Sequence, residues 1–157
     1  MACSGTWPAA TPLMPSVRRL CNMDTWLKIN RPIGVEADIP LKEEAPEKIK
    51  QHYCDCNWGD LIIWTDDTEG IFGCIRFNRS ITMPLTELGS VELQEMKPGK
   101  GSGYVHLSFV SKEGKQLGGI YSRVCSKKSF DWLSEIQPKI AETLNVEHRF
   151  ADHGYDA

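Results

Sequence analysis

The 157-residue sequence has no apolar run approaching the roughly 20 residues that a membrane-spanning helix needs. It has no G-x-S-x-G elbow, so the usual hydrolase arrangement of an exposed nucleophilic serine finds no support. It has no C-x₂-C pair, the spacing that most often marks a structural zinc site. Internal repeats and long low-complexity tracts are absent as well. The first 22 residues contain no acid and no continuous apolar stretch, and they carry Pro8, Pro12 and Pro15. A secretory signal is therefore not expected, and the six cysteines read as reduced thiols of a cytosolic protein rather than a disulfide framework.

What is present is globular. Apolar residues make up 41% and charged residues 25%, enough for a core without disulfides or metal. The net charge of −3 hides a segregation. Residues 35–70 hold ten acids against three lysines, and residues 97–128 hold seven bases against Glu113 alone. A chain acidic overall is no polycationic nucleic-acid binder, so no nucleic-acid partner is expected.

Residues 1–22 read as a disordered leader, 23–145 as a single domain and 146–157 as a polar, flexible tail. Within the domain, Thr25–Asn30 alternates as a short strand and Pro46–Tyr53 suits a short helix. Short patterned runs then follow at 60–66, 71–77, 81–84, 90–95, 104–110 and 116–124, separated by turn residues. Val105, Leu107 and Phe109 alternate against Tyr104, His106 and Ser108, as a half-buried strand requires. After residue 126 the period changes to helical: Phe130, Leu133, Ile136, Ile140 and Leu144 recur on one face. Pro138 inside that pattern predicts a kink or two short helices. The fold class is α+β, mainly β: an antiparallel meander or partly open barrel with one C-terminal amphipathic helix. Trp132, Leu133, Ile136 and Ile140 are expected to plug one opening, against Leu61, Ile63, Ile75, Val105, Leu107 and Phe109.

The run Gly59-Asp-Leu-Ile-Ile-Trp-Thr-Asp, followed by Ile81-Thr-Met-Pro-Leu-Thr-Glu-Leu-Gly-Ser-Val-Glu-Leu, resembles the pleckstrin-homology-like group, including its bacterial and GRAM-type members. The resemblance spans about residues 59–144. Pro138 departs from that group's continuous helix, and residues 25–30 are needed to complete its seven strands. The resemblance implies a non-enzymatic binding module for protein partners or phosphoinositide head groups.

Candidate sites follow from residue chemistry. In a meander with alternating turns, Arg76, Arg79, Lys112 and Lys115 are expected at one end, opposed only by Glu113, as an anion-binding rim. His52, Cys54 and Cys56 place three soft or borderline ligands within five residues and are the alternative, a metal site. Cys125 with His106 is a further alternative, a small cysteine-dependent enzyme, although no motif joins them. Pro98-Gly-Lys-Gly-Ser-Gly103 lacks the spacing of a phosphate loop and reads as a flexible hairpin. The expectation is a binding module without catalysis or cofactor, with a protein partner or, second, an anionic lipid head group. Its expected location is cytoplasmic, with peripheral membrane attachment as a second option and no transmembrane segment.

Overall fold

A computed structural model describes residues 25–35, 37–39, 60–76, 79–122 and 124–157. The expected leader at 1–22, the expected helix at 46–53 and the His52, Cys54, Cys56 cluster lie outside the described residues. The chain forms β1 (Thr25–Ile29), β2 (Leu61–Asp66), β3 (Ile71–Arg76) and β4 (Arg79–Pro84), then a 3₁₀ turn at Leu85–Glu87. β5 (Leu88–Lys97), β6 (Tyr104–Ser111) and β7 (Gln116–Ser122) follow, then helix α1 (Lys127–Leu144) and β8 (Glu147–Tyr155).

The strands make two four-stranded sheets, in the orders β1-β2-β3-β4 and β7-β6-β5-β8. The first is antiparallel throughout; in the second only β8 runs parallel, to β5. No closed barrel forms. β4 leans on β7 through side chains: a Cβ at Gly118 would lie 3.0 Å from Met83 Sδ, so a side chain there would push the tips of Ile81 and Met83 aside.

The core lies between the sheets and α1. Leu61 and Ile63, Phe72 and Cys74, Ile81 and Met83, Val91 and Leu93, and Val105, Leu107 and Phe109 all join it. Each such pair is two residues apart, which is how a strand keeps its apolar residues on one face. Burial of one such side chain contributes on the order of 1.5–3 kcal/mol. Ile75 is a correction to the expected core. It is buried, but it pairs with Ile62 on the opposite face of the first sheet and is absent from the central cluster. It is one residue from Cys74, so the strand period puts it on the far side.

Helix α1 plugs the opening with Trp132, Leu133, Ile136, Ile140, Ala141 and Leu144, packing on β1, β5, β6 and β8. Ser126 caps it, its Oγ accepting from Ser129 N at 3.1 Å. The expected break at Pro138 does not occur, and one helix runs from Lys127 to Leu144. Pro138 and Ser134 are both exposed, so the carbonyl that loses its amide donor faces solvent, which can satisfy it. Asn145 ends the helix in the left-handed region, φ 58, and Val146 N donates to Ala141 O at 2.9 Å.

That cap turns the chain into β8. The expected flexible tail at 146–157 is therefore corrected: residues 147–155 form a strand. Its side chains are mostly exposed and carry no apolar alternation. It is held by its backbone ladder to β5 and by the buried Gln137, whose Nε2 donates to Val91 O at 2.9 Å and to Arg149 O at 2.7 Å. A helix side chain thus ties two adjacent strands together.

Candidate functional site

The 3₁₀ turn sets the geometry of one end of the molecule. Leu85 N donates to Gly70 O at 2.8 Å, tying this corner to the β2–β3 turn. Lys112 N donates to Glu87 O at 3.0 Å, tying it to the β6–β7 turn. The C-terminal end of α1 stands beside them. Between these elements opens a cleft of about 670 Å³. Its floor includes Leu85, Leu88, Leu144 and Val146, and its walls carry Thr25, Thr65, Asp67, Lys112, Thr143 and Glu147. A smaller hollow of about 420 Å³ shares Lys112 and Glu147 and adds Glu113 and Arg149. Both hollows are lined by charges of both signs.

The four expected rim residues do not form one patch. Lys112 and Lys115 are exposed on the β6–β7 turn, at the cleft end. Arg76 and Arg79 face Asp38, with nitrogen–oxygen distances of 3.8 and 3.6 Å. Arg79 Nη1 also donates to Ile39 O at 3.0 Å. Asp38 in turn exchanges two backbone hydrogen bonds with Tyr121, both 2.8 Å. Tyr121 lies five residues along β7 from Gln116, about 17 Å at the rise of a strand. The arginine pair therefore sits near the end of β7 away from the lysines. The corner at Leu85–Glu87 adds a chain reversal that simple alternation of hairpin turns leaves out. It puts the 67–70 and 112–115 turns at the same end, so Asp67 and Lys112 line one cleft. The two arginines clamp residues 37–39 onto the sheets, a structural task that engages their charge.

The cysteine site does not assemble as expected either. Cys125 Sγ donates to Glu95 Oε2 at 3.6 Å, so its neighbour is a carboxylate, not an imidazole. Burial, and then the Glu95 charge, pushes the thiol's pKa up, which disfavours a thiolate nucleophile. His106 instead stacks between Tyr104 and Tyr121, with ring centroids 4.2 and 4.3 Å away. Burial, and then the nearby His153, lowers its pKa. Cys74, the other free thiol among the described residues, is fully buried, and burial pushes its pKa far up. Among the described residues no group of three or more His, Cys, Asp or Glu side chains is placed to hold a metal ion. No described helix is long and apolar enough to cross a membrane.

The family model of the PM0294 C-terminal domain matches residues 17–147. The chain belongs to the PM0294 C-terminal domain family. The match spans β1 to β7 and α1 of this PM0294 C-terminal domain and stops at Glu147, where β8 begins. Among solved structures, the hSac2 domain from human phosphoinositide phosphatase Sac2 is similar at 13% identity and a TM-score of 0.40, over 92% of this chain and 88% of that one. No curated protein matches the chain.

The cleft residues Thr65 and Asp67, at the end of β2, and Thr143 and Glu147, around the end of α1, escape a reading by motif, because the two stretches are far apart in the chain. The one local signal is Asn145. An asparagine directly after a helical period marks a left-handed cap, and hence a chain that turns back rather than trailing away.

Proposed function

We propose that this PM0294 C-terminal domain is a non-enzymatic binding module of PH-like arrangement, and that its partner is a protein. Seven antiparallel strands in two sheets, followed by a helix that fills an opening between them, support the PH-like reading. One observation carries the choice of partner: the cleft at the Leu85–Glu87 corner. It joins an apolar floor to threonine hydroxyls and to charges of both signs. Such a lining suits a polar peptide segment better than a polyanionic head group, which Asp67 and Glu147 would repel. The separation of the arginines from the lysines points the same way. Cys125, held protonated beside Glu95, supports a module without nucleophilic catalysis.

The test is site-specific photo-crosslinking from Thr143 in the full chain. The expected result is one protein crosslinked reproducibly, lost in Lys112→Glu and kept in Lys100→Glu, which lies at the far end of β5. Retention on anionic vesicles that Lys112→Glu abolishes, with no protein crosslink, would replace the protein reading by the head-group reading.

A further inference from the structure

The loop from Pro98 to Gly103 joins β5 to β6, and glycine occupies every second position: Gly99, Gly101 and Gly103. Their three backbone amides converge on one carboxylate, that of Asp156, just beyond β8. Gly99 N and Gly101 N donate to Oδ1 at 2.5 and 2.9 Å, and Gly103 N donates to Oδ2 at 2.9 Å. Asp156 N donates back to Lys97 O at 3.0 Å.

The alternation of glycine follows from that geometry. A Cβ at Gly99 would lie 2.9 Å from Asp156 Oδ1, and one at Gly101 would lie 2.6 Å from Oδ2. Gly103 adopts φ +66, a conformation that L side chains rarely take. The loop is therefore built around an anion: side chains are excluded where the backbone approaches it, and successive N–H groups form a concavity of positive potential. The loop also carries Lys100 at its tip.

We propose that the Gly99–Gly103 loop is a receptor for a phosphate monoester, and that Asp156 fills it in cis as an exchangeable occupant. Three converging amides are the donor set that a tetrahedral oxyanion also accepts from. The occupant is a partly exposed side chain beyond the stretch matched by the family model. Its neighbours in β8 are mostly exposed, so its release uncovers little apolar surface. The loop lies at the opposite end of the ten-residue β5 from the cleft, roughly 30 Å away at the rise of a strand. The proposal therefore stands apart from the protein-binding reading.

The test is an amide chemical-shift titration of the full chain with inorganic phosphate. In Asp156→Ala the amides of Gly99, Gly101 and Gly103 shift saturably. In the unmodified chain the apparent affinity is about tenfold weaker, because a tethered competitor acts at a millimolar effective concentration. Asp156→Asn keeps the side chain but removes its charge, and gives an intermediate affinity. Gly101→Ala added to Asp156→Ala abolishes the response. A second arm measures co-sedimentation of Asp156→Ala with phosphatidylcholine vesicles, with and without a phosphatidylinositol monophosphate. Binding to the doped vesicles identifies a lipid source of the phosphate, and binding to free phosphate alone a soluble one. Absence of saturable shifts at the three glycines in both Asp156→Ala and Asp156→Asn overturns the proposal. Equal affinity in the unmodified chain and Asp156→Ala overturns the role of Asp156.

Discussion

Gln137 on the helix donates through Nε2 to the carbonyl of Arg149 on β8, at 2.7 Å, from a buried position. Its second hydrogen bond, to Val91 O at 2.9 Å, ties the same amide to β5. An amide in a helix core costs desolvation unless it is paired, and this one is paired to the two strands it must hold together. Gln137→Leu keeps the volume and removes both bonds. The expected loss is about 1–3 kcal/mol, concentrated on β8. Hydrogen exchange checks it: amides from 147 to 155 should lose protection before those of β6. Uniform loss across both sheets would count against a specific tie.

Pro138 offers the reverse experiment. It lies inside a continuous helix on the exposed side, so its cost is borne without any packing in return. Pro138→Ala restores a donor for the Ser134 carbonyl and should stabilise the protein by about 1–3 kcal/mol. A higher midpoint in thermal or urea unfolding checks it; an unchanged midpoint would mean that the proline ring makes a packing contribution of similar size.

Acid should loosen the end of β8. The Asp152 carboxyl is held below its ordinary range by the Gly154 amide first and then by Lys97, and that of Asp156 chiefly by the glycine amides of the loop. Because both folded pKa values are depressed, the stability they add is fully present above the unfolded value of about 3.9 and is lost as pH falls through the folded values. Exchange protection near Tyr155 should therefore decline at acid pH. The decline should be weaker in Asp156→Asn, which lacks one of the two titrating groups.

His106 titrates in a different window. Burial and His153 depress its folded pKa, so the neutral ring between Tyr104 and Tyr121 is favoured. The contribution is present above the unfolded value of about 6.5 and lost as pH falls below it. Unfolding free energy should drop as pH falls below about 6.5, and His106→Phe should flatten that slope. An unaltered slope in the variant would assign the effect to another group.

Cys125 should alkylate more slowly than a free thiol, because burial and Glu95 raise its pKa. Glu95→Gln removes the charge and should accelerate the reaction with iodoacetamide several-fold, towards the rate of a model thiol. A rate in the unmodified chain above that of a free thiol would revive the nucleophile reading.

Most strands and the helix were legible, because each buries one face and so writes its period into its side chains. Val105, Leu107 and Phe109 announce β6, and Leu133, Ile136 and Ile140 announce α1. β8 was not legible. Its side chains are largely exposed, and what holds it is a backbone ladder, one buried amide and a carboxylate in a glycine loop. Backbone hydrogen bonds leave no signature in composition. Of the four expected rim cations only Lys112 lines the cleft, and the arginines lie apart from the lysines. Arg76, Arg79, Lys112 and Lys115 are where local structure puts them, on or next to turns. Which turns meet depends on the corner at Leu85–Glu87.

The sequence by itself determined the fold class, the inward faces of most strands and the helix, since the side-chain periods of 2 and 3.6 residues are local properties of the chain. Only the tertiary structure decided that Asp38 engages both arginines, that Asp67 shares a cleft with Lys112, and that Asp156 closes the Gly99–Gly103 loop. Each of these joins residues at least 38 positions apart. Which charges face each other is thus set by the chain reversals, which no local pattern records.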